Sequence, residues 1–226
     1  MLNMVSIRKD IITTGEIYHI YSRSIAGFEI FRTPDSYERF IEGLNYYSSA
    51  PKNTKLSDYL GLSPESRIRI DNTPGTTAIV QLIAYCVMPT HIHLVLKQLV
   101  NSGVSSFMNI LLNSFARYFN LSHNRHGPLW ESRFKNVLIE TDEQLLHLTR
   151  YVHLNPTSAG LVELPNEWNY SSYLEYLGER SSKGICNWEG ILEIQPNNYQ
   201  KFVNGRTSYQ RSLSQIKHLL IENYTG

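Results

Sequence analysis

"YCVMPTHIHLVLK", residues 85–97, decides how the chain is read. An apolar, β-branched run, "TAIVQLIAYCVM" (77–88), leads into the punctuation "MPT" (88–90), and "HIHLVLKQ" (91–98) resumes it. Two strand-like runs across so short a turn predict a hairpin. Side chains alternate between faces along a strand, so His91 and His93 share one face while Ile92 and Leu94 share the other. The imidazoles are then about 6.6 Å apart along the strand. Neutral imidazole nitrogens at that spacing suit one metal ion. As ordinary polar residues of an exposed face they would need none. A protein metal site also requires a third ligand from elsewhere in the chain.

Working outward, "EIYHIYSRSI" (16–25) is rich in aromatic and β-branched residues and predicts a first strand. "TPDSYERFIEGLNYYSSA" (33–50) has an early proline and early acids, with Phe40, Ile41 and Leu44 at helical spacing. Residues 50–77 are rich in Pro, Asn, Ser, Thr and Gly and read as an insertion, with a short helix at "SDYLGL". "VSSFMNILLNSFARYFNLSHN" (104–124) carries Phe107, Leu111 and Phe115 at helical spacing. "RFKNVLIE" (133–140) predicts a fourth strand. "TDEQLLHLTRYVHLNP" (141–156) predicts a helix capped by Thr141 and stopped near Asn155, because Pro156 disfavours helix at the residue before it. The order is β-α-β-β-α-β-α. It predicts an α+β protein with a ferredoxin-like or RRM-like sheet, helices on one face, and one further helix. The expected domain covers 1–178. Residues 179–226 read as an accessory region, with a helix over "SYQRSLSQIKHLLIENY" (208–224).

The bulk composition narrows the function classes. The chain has 226 residues, 42% hydrophobic, enough for a sizeable core. A net charge of +1 gives no global sign of a nucleic-acid partner, so any basic footprint must be local. The two cysteines, Cys86 and Cys186, form no CxxC pair and predict neither a disulfide framework nor a cysteine zinc site. No apolar run approaches the roughly 18 residues of a membrane span. The expectation is a soluble, cytoplasmic protein.

A second constellation lies in "LTRYVHLNPTSAGLV" (148–162). Tyr151 and Asn155 are four apart and share a helical face, with His147 one turn earlier. A phenol can act as a nucleophile. An amide oxygen is a hard ligand for Mg²⁺ or Mn²⁺. The bland alternative is an amphipathic edge residue and a helix stop. On the preceding helix Tyr118 competes for the same role, but it fits core spacing with Leu111 and Phe115 and has Ser122 four residues on. Tyr151 is therefore the expected nucleophile and Tyr118 the runner-up. His147 and His153 read as ordinary residues of the helix surface.

Taken in order, "YCVMPTHIHLVLK", "GPLWESRFKN" and "RYVHLNPTSAGLV" resemble the REP-associated tyrosine transposases, within the HUH single-tyrosine, IS200-like family. The resemblance covers about residues 15–178, including "EWNYSSYLEYLG". It implies a metal-binding pair at His91 and His93, a nucleophile at Tyr151 and a third metal ligand at Asn155. It implies a divalent cofactor, Mg²⁺ or Mn²⁺, and cleavage and rejoining of single-stranded DNA at hairpin-flanked sites through a 5′-phosphotyrosine. Members act as monomers or homodimers.

Arg117, Arg125, Arg133 and Lys135 surround Trp130, a pattern that suits a phosphate track with base stacking. Trp130 serves equally well as a core plug. Arg8, Lys9, Arg23 and Arg32 flank the first strand and extend the track. Two other readings compete. A non-cleaving, domesticated DNA- or RNA-binding module would keep the fold. A metallohydrolase using water would need no tyrosine.

Overall fold

The computed structural model describes residues 11–180 and 184–205. Its elements run β1 (Ile17–Arg23), α1 (Pro34–Tyr47), β2 (Ser49–Ala50), α2 (Leu56–Leu60), α3 (Pro64–Asp71), β3 (Thr77–Ala78), β4 (Val80–Val87) and β5 (His91–Gln98). They continue with α4 (Gly103–Ser122), β6 (Lys135–Ile139), α5 (Asp142–Ser158), α6 (Tyr173–Tyr176) and α7 (Pro196–Asn204). The expected helix at 208–224, and Arg8 and Lys9, lie outside the described residues.

The main sheet has the order β4-β5-β1-β6, with every pair antiparallel. This is the ferredoxin-like arrangement, in which the first strand sits between the third and fourth strands of the βαββαβ unit. The β4–β5 hairpin closes where Met88 N donates to His91 O at 2.9 Å. The 168–172 segment covers the free edge of β4: Val87 N donates to Tyr170 O and Ser172 N to Tyr85 O. A covered edge offers no template for pairing with another chain.

Each face of the sheet carries its own layer. On one side Tyr18, Ile20, Ile92, Leu94 and Leu96 pack under α1 and α4, against Phe40, Phe107 and Phe115. On the other, Val95, Cys86 and Ile139 meet Leu148 and Val152 of α5. The expected helices on one face are α1 and α4; the additional helix, α5, takes the opposite face. The face that holds the histidines is therefore covered rather than open.

Local chemistry explains the ends of α5. Thr141 Oγ1 accepts from Gln144 N at 3.1 Å, the N-cap expected from the sequence. The predicted stop at Asn155 is corrected: the helix runs through Pro156 to Ser158. Proline removes one donor, but it falls in the last turn. There Ala159 N donates to Asn155 O and Leu161 N to Pro156 O, so the terminal carbonyls remain satisfied.

The 50–77 insertion is ordered. The short helix expected at "SDYLGL" is α2; α3 and a two-stranded β2–β3 ribbon complete the segment. Leu56 and Tyr59 anchor it in the α1 core, and Tyr59 OH donates to Asp71 Oδ2 at 2.7 Å. Residues 184–205 pack on the back of α5 through Trp188, Tyr199 and Val203. Glu175 ties this region to the sheet by accepting from Tyr85 OH at 3.1 Å and Cys186 N at 2.9 Å, and it pairs with Arg180. Burial, reinforced by the Glu175 carboxylate, raises the Tyr85 pKa well above its ordinary value, so the phenol stays a donor. Both cysteines are free thiols. Among the described residues no helix is long and apolar enough to cross a membrane.

Candidate functional site

Strand register builds the site. Tyr21 of β1 pairs with His93 on one side and Lys135 of β6 on the other, and His93 pairs with Cys86 of β4. These four form one row across the α5 face. The row on one side is His91–Arg23; on the other it is Ala84, Val95, His19 and Val137. The face thus gathers three histidines, a tyrosine and two cations from three strands, β1, β5 and β6.

The rings are in contact. The centroids of His91 and His93 are 5.0 Å apart, edge to face. Tyr21 packs 5.6 Å from His91 and 5.0 Å from His93. The Arg23 guanidinium lies 5.6 Å from the Tyr21 centroid. From above, α5 lowers Tyr151 onto the group, its ring 5.5 Å from His93 and 6.2 Å from His19. Tyr151 is 6% exposed and His93 fully buried, so bulk water is excluded from the contact between helix and sheet.

The donor chemistry fits a divalent ion. Nδ1 of His91 lies 2.9 Å from Thr90 Oγ1, and Nδ1 of His93 lies 3.0 Å from His19 Nε2. Both histidines engage the same ring nitrogen, so Nε2 is the one each would offer an ion. Among the described residues, no three His, Cys, Asp or Glu side chains cluster to hold a metal. A third protein donor would be an amide. Asn155 lies one turn beyond Tyr151, buried, and its Nδ2 donates to Tyr151 O at 3.0 Å. That leaves the side-chain carbonyl as its hard oxygen donor.

The other expected site residues divide. Lys135 sits on the histidine face beside Tyr21, and Arg23, expected only to flank the strand, stands next to His91. Arg117, Arg125, Trp130, Arg133 and Tyr118 belong to α4 or the loop packed on it, on the other side of the sheet. Arg117 and Arg133 are exposed. Arg125 binds its own loop, donating to Asn120 Oδ1 at 2.9 Å and Pro128 O at 2.7 Å. Trp130 donates from Nε1 to Leu112 O at 3.0 Å and leans on Phe31, Phe40 and Phe115. Its outer side, with Asn109, Asn113 and Arg133, lines a cleft of about 660 Å³. Tyr118 stacks near Phe115 and under the Arg39 guanidinium, with the whole sheet between it and the imidazoles.

The structure corrects one expectation for α5. His153 is fully buried rather than on the helix surface, with Nδ1 2.7 Å from Tyr199 OH and Nε2 2.7 Å from Ser172 Oγ. Burial pushes its pKa down to about 3, so it is neutral. His147 is half-buried beside Glu143, and burial lowers its pKa as well. The sequence reading missed His19 and Tyr21. Period-two alternation in "IYHIYSR" puts both on one face with Arg23, but nothing local says which strand that face adjoins.

Residues 75–155 match the family model of the IS200-like transposases. That segment contains the hairpin, α4, β6 and α5 up to Asn155, and so the histidine pair and Tyr151. The chain is also similar to individual proteins. It is 32% identical over 104 residues to a curated Haemophilus influenzae protein provisionally described as a REP-associated tyrosine transposase, covering 41% of this chain. The chain spans 58% of the length of that relative. A solved REP-associated tyrosine transposase bound to a REP hairpin superposes with a TM-score of 0.53. The superposition covers 84% of this chain and 96% of that one at 13% identity, which establishes the shared fold.

Proposed function

We propose that the protein is a metal-dependent transposase that nicks and rejoins single-stranded DNA beside hairpins through a covalent bond to Tyr151. The observation that carries this reading is the convergence of Tyr151 with the histidine pair, the rings of Tyr151 and His93 lying 5.5 Å apart. Buried polar groups must each find partners, so a cluster of imidazoles and phenols costs more to bury than an apolar layer.

In this reading His91, His93 and Asn155 hold Mg²⁺ or Mn²⁺. When bound, the ion polarises the non-bridging oxygens of the scissile phosphate. Arg23 and Lys135 neutralise the flanking phosphates of the strand. Tyr151 gives up its phenolic proton to water and its oxygen attacks phosphorus. The P–O3′ bond breaks, the 3′ oxygen takes a proton from water and leaves as a hydroxyl, and the 5′ phosphate stays esterified to Tyr151. The phosphodiester energy is retained, so a 3′-hydroxyl reverses the step on a new strand without a nucleotide cofactor. A free phenol has a pKa of about 10, so deprotonation limits the rate at neutral pH unless the site assists it.

The test is a covalent adduct. The protein is incubated with Mn²⁺ and hairpin-bearing single-stranded DNA from the flanks of its gene, then run on a denaturing gel. A shifted band that disappears in Tyr151→Phe supports the proposal. Hairpin binding without an adduct would instead favour the non-cleaving module, and strand cleavage without an adduct a water nucleophile.

A further inference from the structure

We infer that His19 is a positioning residue that selects which nitrogen His93 presents to a metal ion. This inference rests on the proposed metal role of the histidine pair. Three observations carry it. His19 lies on β1, diagonally across from His93, and both are fully buried. Their rings lie edge to edge and nearly coplanar, centroids 5.3 Å apart with only 19° between planes. His19 Nε2 lies 3.0 Å from His93 Nδ1, within hydrogen-bond reach.

A neutral imidazole has one N–H and one lone pair, so this contact has two forms. If His19 donates, the lone pair of His93 is used at Nδ1 and its Nε2 carries the proton. His93 then cannot ligate through Nε2. If His93 donates from Nδ1 and His19 Nε2 accepts, the lone pair of His93 stands at Nε2 and is available for coordination. Only the second form is compatible with a metal on this face. His19 therefore acts as the acceptor that holds the His93 tautomer and ring plane, the part usually played by a carboxylate or carbonyl behind a ligating histidine. Turning the His93 ring would break this hydrogen bond, so the contact fixes the ring plane as well as the tautomer.

His91 has a different support, the Thr90 hydroxyl at 2.9 Å. A hydroxyl both donates and accepts, so it imposes no tautomer. His93 thus has an imidazole behind its Nδ1 where His91 has a hydroxyl.

The test uses the full chain and two variants. Histidine ¹⁵N chemical shifts in the metal-free protein report which nitrogen of His93 is protonated, and Mn²⁺ binding is read by electron paramagnetic resonance. We expect Nδ1–H on His93 in the wild type. His19→Leu removes the acceptor and should weaken Mn²⁺ binding roughly 10–100-fold. His19→Gln, whose amide oxygen can accept from Nδ1–H, should restore most of that loss. A His93 protonated at Nε2 in the wild type, or His19→Leu binding Mn²⁺ as tightly as wild type, would overturn the role of His19. If His19→Leu does not fold, the wild-type tautomer and the His19→Gln affinity still decide. A wild type that binds no Mn²⁺ overturns the metal reading, and the role of His19 with it.

Discussion

The two faces of the sheet are built by different rules. Under α1 and α4 the strands offer Ile20, Ile92, Leu94 and Leu96 to a wall of phenylalanines, a layer with few polar atoms to satisfy. Under α5 the same strands offer His19, Tyr21, His91 and His93, each needing a partner. The first arrangement is what packing alone would select. The second sacrifices apolar burial at the centre of a face, and proteins break local design rules mainly at functional sites. The contrast separates residues that hold the fold from those of the candidate site.

Four measurements break or sharpen that contrast. The largest effect belongs to the α5 face. Tyr151→Phe should reduce adduct formation by roughly 10⁴-fold or more, as for removal of other nucleophiles, while urea unfolding moves little. An adduct that persists in this variant would transfer the nucleophile to another side chain, with Tyr21 the nearest phenol to the histidine pair. On the α1/α4 face the sign reverses. Phe40, fully buried with Phe31 at 5.2 Å and Phe115 at 5.3 Å, should lose roughly 3–5 kcal/mol of stability as Phe40→Ala, measured by urea denaturation.

The third is a pH effect behind α5. His153 has a pKa of about 3 when folded and near 6.5 when unfolded, and the side chains ringing it, Ser172, Tyr173, Tyr176 and Tyr199, are neutral. Between those values the unfolded chain binds a proton that the folded chain refuses. Stability therefore falls as pH drops below 6.5. Acidification to pH 5 should cost about 2 kcal/mol through this group alone. A His153→Gln variant should show a flatter stability profile over the same range. Parallel profiles would mean that His153 is not buried neutral. The smallest effect is expected for Tyr118→Phe, which should leave adduct yield within about twofold, since the sheet separates that phenol from the histidines. A large loss there would mean that the strand contacts α4 during the reaction, or that a second copy supplies this face.

Much of the architecture was legible from local chemistry. The bounds of "HIHLVLKQ" coincide with β5, and Thr141 caps α5 as its side chain predicts. Alternation placed His91 and His93 together, and helical spacing placed Tyr151 and Asn155 on one stripe. Other features depended on partners far along the chain. Trp130 suits a stacking platform or a core plug until Leu112 O is seen to bind its Nε1. His153 reads as a surface residue until Tyr199, 46 positions on, is found against it. Pro156 reads as a stop until the terminal carbonyls are seen to find other donors.

By itself the sequence determined the order of strands and helices, the sharing of faces within each, and the pairs of chemically suited residues. These follow from backbone periodicity and side-chain type, which act over a few residues. Tertiary structure alone decided that α5 takes the face opposite α1 and α4, that His19 and Tyr21 stand beside His93, and that Tyr118 does not. Such choices depend on register and layer packing between segments far apart in the chain, 74 residues for His19 and His93, and their free energy exists only once the segments meet.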